Sequence, residues 1–392
     1  MISGPLFVDI GFSQRCKRGE NICGDAFKFC RVPEENRIIL VLSDGLGSGI
    51  KANILSSMTS TMALKFMASN KEILQSAETI MSALPICRTR KISYATFTIV
   101  DLSLNGKTKI INMGNPPFLF MHKGKCVNIP CSEICSPNWR DRSIEVYEFE
   151  ISEGDRIVLI SDGITQAGMG TEKYKLGWRV EGCRKFVENR AYEEDNRGSQ
   201  DFAEALIKEA LLKESSYTPG DDMSSASIYF RKPEKLILFT GPPFFKERDA
   251  ECARLIASYD GSKVICGGTT ANIVARELDR EIKTDLKSAR YDLPPVSGMN
   301  GIDLITEGIF TLTRTAKYLE EGIPPETGDP AVMLAEILRK NDIIEMLVGT
   351  RVNEVHQDPN LPLDIEIRRS IVRRIANVLK EKYLKEVKIK FV

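Results

Sequence analysis

Asn36-Arg-Ile-Ile-Leu-Val-Leu-Ser-Asp-Gly45 drives an unbroken apolar run into a Ser-Asp-Gly turn, and Asp155-Arg-Ile-Val-Leu-Ile-Ser-Asp-Gly163 repeats the pattern. A third acidic turn, Gly220-Asp-Asp-Met-Ser224, opens a strand-like stretch that ends near Arg231. Short apolar runs bounded by turn residues read as core strands. Such a strand delivers its terminal side chain with little positional slack. Asp is a poor strand former and is costly to bury unpaired, and the Gly after it lets the backbone turn tightly and expose its carbonyl. Several of these carboxylates brought together would make an all-oxygen cation site.

Composition narrows the field. At 392 residues the chain suggests two domains, or one large domain with an extension, and either can bury a substantial core. Lysine plus arginine and aspartate plus glutamate are equal at 54 each, so there is no charge footprint for nucleic acid or an anionic membrane. The expected partner is a protein or a small molecule. No apolar run approaches the roughly 18 residues of a membrane span. Met1-Ile-Ser-Gly-Pro-Leu-Phe-Val-Asp-Ile10 lacks the charged and apolar regions of a secretory signal, so a soluble, cytoplasmic protein is expected. Ten cysteines are scattered without a CxxC pair. Cys16, Cys23 and Cys30 fall at even spacing and Cys131 and Cys135 lie close, but neither pattern has the paired spacing of zinc sites, and nearly all are read as reduced thiols. The two histidines, His122 and His356, sit in a hairpin turn and a polar loop, which excludes a His-rich zinc site and disfavours a Ser-His-Asp triad.

The first part of the chain reads as α/β with much antiparallel pairing. Ser93-Tyr-Ala-Thr-Phe-Thr-Ile-Val100 and Thr108-Lys-Ile-Ile-Asn-Met113 flank Asn105-Gly106, a hairpin signal, and a second hairpin turns about Lys123-Gly124. Ser143-Ile-Glu-Val-Tyr-Glu-Phe-Glu-Ile151 alternates as a half-buried strand does. Ile54, Leu55, Met58, Met62 and Phe66 recur at helical spacing, and this stripe is expected to pack in the core. Residues 72–84 and 201–213 give two more amphipathic helices, and residues 192–200 a polar surface loop.

A boundary falls near Lys232-Pro233. Beyond it come a strand at 235–239, a helix at 246–258, a strand at 263–266 and a helix at 271–280, a βαβα rhythm. Helices at 302–320, 330–339 and 365–383 and a strand at 386–391 complete a smaller mixed α/β unit. Phe239-Thr-Gly-Pro-Pro243 and Cys266-Gly-Gly-Thr-Thr-Ala271 each end a strand, the second with Thr269 or Thr270 as N-cap. Backbone amides at such turns can hold an anion, so a small anionic or nucleotide-like ligand is expected there. Tight turns without a ligand fit the same residues. Arg368, Arg369, Arg373 and Arg374 line the helix at 365–383 as a solvated face, with Ile367, Ile371, Val378 and Leu379 inward.

Asp44, Asp162, Asp221 and Asp222 all sit at turns beside core strands, and Asn21-Ile-Cys-Gly-Asp25 supplies Asp25 at a strand start. Carboxylates without imidazole or thiolate suit hard ions, so Mg²⁺ or Mn²⁺ is favoured over Zn²⁺. Two such ions could share Asp44 and a bridging water and clamp a phosphoryl oxygen. One Asp-Gly is an ordinary turn; the set together points to a metal site.

In this order Cys-Gly-Asp25, Ser43-Asp-Gly-Leu-Gly-Ser-Gly-Ile-Lys-Ala52, Ser161-Asp-Gly-Ile-Thr165 and Gly220-Asp-Asp-Met-Ser224 resemble the signature of the metal-dependent protein phosphatases (PPM). The Asp-Gly-Leu-Gly-x-Gly form and Met113-Gly-Asn-Pro-Pro117 are similar to the bacterial stage II sporulation protein E (SpoIIE) branch, and not to the eukaryotic type with Asp-Gly-His-Gly. The likeness covers about residues 5–231. It implies an α+β fold, with an αββα sandwich over residues 1–232 and a binuclear Mn²⁺ or Mg²⁺ site between its sheets. Residues 233–392 would be an α/β accessory domain, regulatory or ligand-sensing. By the same resemblance Asp44 bridges both ions, Asp162 and Asp221 complete one, and the Gly45 carbonyl holds the other, with Asp25 acting mostly through water. Asp222 matches a position that is often Asn and ranks below Asp221.

The implied activity is hydrolysis of phosphoserine or phosphothreonine in a phosphoprotein, in bacterial signalling. A metal-bridging hydroxide would displace the alkoxide in line, with no covalent enzyme intermediate. Eukaryotic members place an Arg near the N-terminus on the phosphate; here Arg15, Lys17 and Arg18 lie in that region, and a solvated basic turn fits them equally. The other class of function is a catalytically decayed phosphoprotein-binding scaffold, against which the intact Asp25, Asp44, Gly45, Asp162 and Asp221 stand.

Overall fold

The computed structural model describes residues 6–83, 95–136, 139–191, 198–284, 297–324, 328–351, 361–383 and 385–392. The chain divides into two compact units, Met1–Lys232 and Pro233–Val392. In the first, the order is β1 (Phe7–Arg15), β2 (Ala26–Val32), β3 (Arg37–Gly45), α1 (Gly49–Ala68), α2 (Ile73–Ala83), β4 (Ala95–Ser103), β5 (Lys107–Met113), β6 (Leu119–His122), β7 (Lys125–Val127) and β8 (Ser132–Ser136). Then come β9 (Trp139–Glu150), β10 (Arg156–Ile160), α3 (Asp162–Thr165), α4 (Arg179–Arg190), α5 (Ser199–Leu211) and β11 (Met223–Arg231). They form two antiparallel sheets, ordered β1-β11-β10-β6-β7 and β2-β3-β4-β5-β9-β8.

The apolar runs of β3 and β10 are continuous because both strands are covered on both faces. Ile38, Leu40 and Leu42 meet Ile157, Leu159 and Ile228 of the other sheet, which joins the two sheets face to face. On its outer face β3 turns Ile39 and Val41 to Ala63, Met67, Ile80 and Met81 of α1 and α2. Outside the sheet that holds β10, Val158 and Ile160 pack against Cys183 and Val187 of α4 and Phe202 and Leu206 of α5. The result is an αββα sandwich.

Helix α1 corrects one expectation. Its Leu55, Met62 and Phe66 pack half-buried at the edge of the core, but Ile54 and Met58 are 52% and 47% exposed. The face bedded on the sheet is Ala52, Ser56, Thr59, Ser60 and Ala63 with Met67. Small residues are needed there because the helix lies so close that a Cβ on Gly45 would stand 2.1 Å from the Ala52 carbonyl oxygen. The buried hydroxyls are satisfied locally, Thr59 donating to the Leu55 carbonyl at 2.8 Å and Ser56 to the Gly24 carbonyl at 2.5 Å. The helices expected at 72–84 and 201–213 are α2 and α5. Of the surface loop at 192–200, residues 192–197 lie outside the described residues, and Ser199 and Gln200 already belong to α5. His122 holds the buried Asp155 through Nδ1 at 2.7 Å, and His356 lies outside the described residues.

The second unit runs β12 (Lys235–Thr240), α6 (Asp249–Ser258), β13 (Ser262–Cys266), α7 (Gly268–Leu278), β14 (Lys283–Thr284), β15 (Ser297–Met299), β16 (Ile302–Thr306), α8 (Ile309–Glu321), α9 (Pro330–Lys340), β17 (Ile343–Val348), α10 (Leu361–Glu381) and β18 (Glu386–Phe391). Its sheet order is β14-β15-β16-β13-β12-β17-β18, and β16, β13, β12, β17 and β18 are mutually parallel. Helices α6 and α7 cover one face, and α8, α9 and α10 the other. The helix expected at 302–320 begins only at Ile309; Ile302–Thr306 is a strand, since a short apolar run fits either period until its parallel neighbours bury it. Strand β17 lies outside the elements expected from the sequence. The N-cap of α7 is Gly267, with φ 120°, and not Thr269 or Thr270, which lie in the first turn. Ile367, expected inward on α10, is 41% exposed, whereas Ile371 and Leu379 are buried. Among the described residues no helix is long and apolar enough to cross a membrane.

The bedding of α1 can be checked by substitution. Ala63→Leu should destabilise the full chain by about 1–3 kcal/mol through overpacking, whereas Ile54→Ala should stay within about 0.5 kcal/mol of wild type. Urea denaturation compares them, and a larger loss for Ile54→Ala would reverse the assignment of the buried face.

Candidate metal centre

The two sheets bring their acidic turns to one mouth. Asp44 stands at the end of β3 and Asp25 just before β2; Asp162 follows β10 and opens α3, and Asp221 and Asp222 immediately precede β11. The turns after β10 and before β11 are clasped together. Ser161 N–H donates to the Ser224 carbonyl and Ser224 N–H to Ser161 Oγ, both at 2.9 Å, while Ser161 Oγ donates to the Asp222 carbonyl at 3.1 Å. Gly163 is required here, because a Cβ would stand 2.2 Å from the Asp222 carbonyl oxygen.

A cavity of about 880 Å³ opens at this mouth, lined by Asp44, Gly45, Asp162 and Asp221 together with Lys17, Thr96, Asn112, Asn115 and Glu145. Asp25 lies buried behind it, 2% exposed, and neither of its carboxylate oxygens has a hydrogen-bond partner. Burial pushes its pKa up to about 7, the Asp222 charge adds to this, and the nearby Ser224 and Ser161 hydroxyls pull the other way. Burial also raises Asp44, reinforced by the charges of Asp25 and Asp162. Asp162 is raised by burial and by Asp221, against the amide of Gln166 donating to its Oδ2 at 2.9 Å. Carboxylates that force protons onto one another, with buried oxygens left unpartnered, are what a hard divalent cation resolves, and among the described residues the lining offers oxygen donors without histidine or cysteine. The residues present therefore fit Mg²⁺ or Mn²⁺.

Asp222 is placed differently from the rest. It is buried, its Oδ1 accepts from Lys17 N–H and its Oδ2 from Gly24 N–H, each at 2.9 Å, so both oxygens hold the loop between β1 and β2. Of the three basic residues near the N-terminus, Lys17 reaches the cavity, its Nζ 3.3 Å from Asp221 Oδ1. Nothing in the sequence ranked it above Arg15 or Arg18. The opposite wall is stiffened by Asn115 of Met113-Gly-Asn-Pro-Pro117, which donates to the Leu42 carbonyl at 3.2 Å and to Thr98 Oγ1 at 3.0 Å and pairs with Thr96. Asn112 donates to Glu145 at 3.0 Å on the same wall. The reading of the cysteines as reduced thiols fails for one pair: Cys16 and Cys23 are joined in a disulfide with Cα atoms 4.4 Å apart.

Two packed antiparallel sheets flanked by helices, with an acidic mouth, define an α+β sandwich. Residues 34–231, half of the chain, match the family described as Stage II sporulation protein E (SpoIIE), and the chain belongs to that family. Stage II sporulation protein E of Bacillus subtilis (strain 168) is 23% identical over 219 residues, covering 55% of this chain and 25% of that protein. Its counterpart in Priestia megaterium is 20% identical over 205 residues, covering 52% of this chain and 33% of that protein. The chain thus spans a quarter to a third of these relatives. Among solved structures, the PP2C phosphatase domain with a fragment of the regulatory domain of SpoIIE from Bacillus subtilis is 21% identical with a TM-score of 0.48, over 58% of this chain and 64% of that one. The RsbU and RsbW domains of Rv1364c from Mycobacterium tuberculosis are 16% identical with a TM-score of 0.48, over 64% and 69%.

The crowding of carboxylates has a pH signature. Between the ordinary 3.8 and about 7 the folded chain keeps on Asp25 a proton that the unfolded chain releases. Stability in chelator should therefore fall as pH rises through that window. Asp25→Asn should flatten part of the slope, and the melting-temperature gain from Mn²⁺ should grow with pH as ions replace protons. Equal slopes for wild type and Asp25→Asn in thermal melts would remove Asp25 from the cluster.

Proposed function

We propose that the chain is a Mn²⁺- or Mg²⁺-dependent serine/threonine phosphoprotein phosphatase of a bacterial signalling system. The observation that carries the reading is the buried Asp25, its oxygens unpartnered, behind a cavity walled by Asp44, Asp162 and Asp221. Asp44, Asp162, Asp221 and the Gly45 carbonyl would hold two ions, with Asp25 supporting them from behind. When bound, such ions lower the pKa of a water and offset the charge that develops on a phosphoryl group. Lys17 supplies the cationic side chain of the cavity lining. With Asp221 engaged in holding a cation, the Lys17 ammonium would be free to pair with the dianionic phosphate of a substrate. Asn115 and Thr96 keep the facing wall in place, so a phosphorylated side chain enters against a rigid surface. Among the described residues the lining contains no cysteine or histidine that would serve as a covalent nucleophile or proton relay, and direct transfer to water needs neither.

For residues 233–392 we propose a regulatory role through a small anionic or nucleotide-like ligand at the turns after β12 and β13. Support comes from Gly268, where a Cβ would meet nothing within 4 Å, from the absence of a side-chain cap on α7, and from the buried, unpartnered Thr240 hydroxyl. The turn after β12 is tighter, since a Cβ on Gly349 would stand 2.1 Å from the Pro242 carbonyl oxygen. Nucleotides at millimolar level should raise the melting temperature of the full chain, and Gly268→Val should remove the rise. No shift with any anion would leave the unit as a protein-docking module.

Turnover of a chromogenic aryl phosphate with Mn²⁺ tests the main reading. Asp44→Asn and Asp162→Asn should each lower it by more than about a hundredfold, beyond what loss of an outer-shell partner costs, and chelator should abolish it. Lys17→Gln should raise KM more than it lowers kcat. Near-wild-type activity of either Asp variant at micromolar Mn²⁺ would refute the site. A chain that binds phosphoprotein without turnover would be the decayed scaffold.

A further inference from the structure

Cys16 directly follows β1 in one sheet, and Cys23 stands just ahead of β2 in the other, so their bond closes a loop that spans the mouth of the sandwich. That loop touches three parts of the carboxylate centre. Lys17 and Gly24 N–H groups hold Asp222 at 2.9 Å, and Arg18 N–H donates to the Pro219 carbonyl at 3.0 Å, which pins the turn bearing Asp221. Asn53 of α1 donates to the Cys23 carbonyl at 2.8 Å and Ser56 to the Gly24 carbonyl at 2.5 Å, which ties the loop to the helix that follows Gly45. Lys17 Nζ lies 3.3 Å from Asp221. Asp25 is the next residue but one after Cys23. The remaining described cysteines are free thiols.

We propose that Cys16–Cys23 is a redox-active disulfide, a substrate for dithiol reductants, whose reduction loosens this loop and weakens divalent-cation binding at the carboxylate centre. The chemistry is thiol–disulfide exchange. A reductant thiolate attacks Sγ of Cys16, the more exposed of the two, and buried Cys23 leaves as thiolate. The second thiol of the reductant then displaces Cys16 from the mixed disulfide. Two electrons pass to the pair, the reductant leaves as its own disulfide, and its two protons end on Cys16 and Cys23. With the bond open, the segment between the sheets regains conformational freedom, and the amides on Asp222 no longer hold the Asp221 turn in one place. The cation affinity of that turn falls with it.

The inference rests on the metal reading, so its test carries readouts that separate the two. Air-oxidised full chain is compared with chain reduced by dithiothreitol and desalted under nitrogen. Iodoacetamide should label Cys16 and Cys23 only after reduction and Cys131 and Cys135 in both states. The Mn²⁺ concentration giving half of the thermal shift should rise about fivefold or more on reduction, the lower end of coupling between sites. Cys16→Ser with Cys23→Ser should sit at the reduced value with or without reductant, and Cys135→Ser should respond like wild type. Amide exchange at Lys17 and Gly24 should speed up on reduction. Equal Mn²⁺ half-points in the two states, or labelling of the pair without reductant, overturns the proposal. Should Mn²⁺ shift neither state, the metal reading falls along with it, and amide exchange at Lys17 and Gly24 still reports whether the disulfide holds the loop.

Discussion

Mutual repulsion among Asp25, Asp44, Asp162 and Asp221 is the constraint around which the first unit is built. Left to themselves, carboxylates so placed would separate or draw in water. They stay because each is fixed to a strand that cannot move without opening the core between the sheets. Ile38, Leu40 and Leu42 of β3 are interlocked with Ile157 and Leu159 of β10. The Ser161–Ser224 clasp then ties the second and third acidic turns to each other. Hydrophobic burial thus holds charges together that electrostatics alone would drive apart, and a cation is the natural relief.

Close packing of backbone carries that rigidity outward. Ala52 of α1 lies against Gly45 so tightly that no side chain fits between them, so the position of the helix and of the Gly45 carbonyl cannot be set independently. The bed of Ala52, Ser56, Thr59, Ser60 and Ala63 is therefore part of the site's geometry as well as of the core. On the facing wall, Asn115 reaches across to the Leu42 carbonyl and couples the turn after β5 to the strand that bears Asp44. A shift of either wall would be felt at the mouth.

How far the sequence could be read depended on whether one element or several had to be known. The apolar runs into Asp44 and Asp162 were legible because a strand buried on both faces writes its own signature and a following Asp-Gly marks its end. Helix α1 was legible as a helix, but of its larger apolar residues Leu55, Met62 and Phe66 only flank the contact, and Ile54 and Met58 are exposed. Periodicity finds the stripe, while the closeness of the sheet decides that small residues and hydroxyls line the contact. Ile302–Thr306 and Ile343–Val348 are buried strands whose identity comes from parallel neighbours. Lys17 could not be chosen among three nearby cations, and the Cys16–Cys23 bond depends on two sheets converging, which no local pattern records.

Asp222 shows how a residue can sit within a metal signature and serve the structure beside it. A carboxylate there adds charge to an already acidic mouth. Burial raises its pKa, and the Lys17 and Gly24 amides work against that rise. A carboxylate can accept both N–H groups at once; an Asn amide offers one acceptor and turns its NH₂ toward the second donor. The extra charge is thus matched by two charge-assisted hydrogen bonds that hold a loop already closed by a disulfide. The loop needs both constraints because it crosses from one sheet to the other, where no strand ladder is available to fix it, and because Lys17 can face the cavity only while the loop keeps its path.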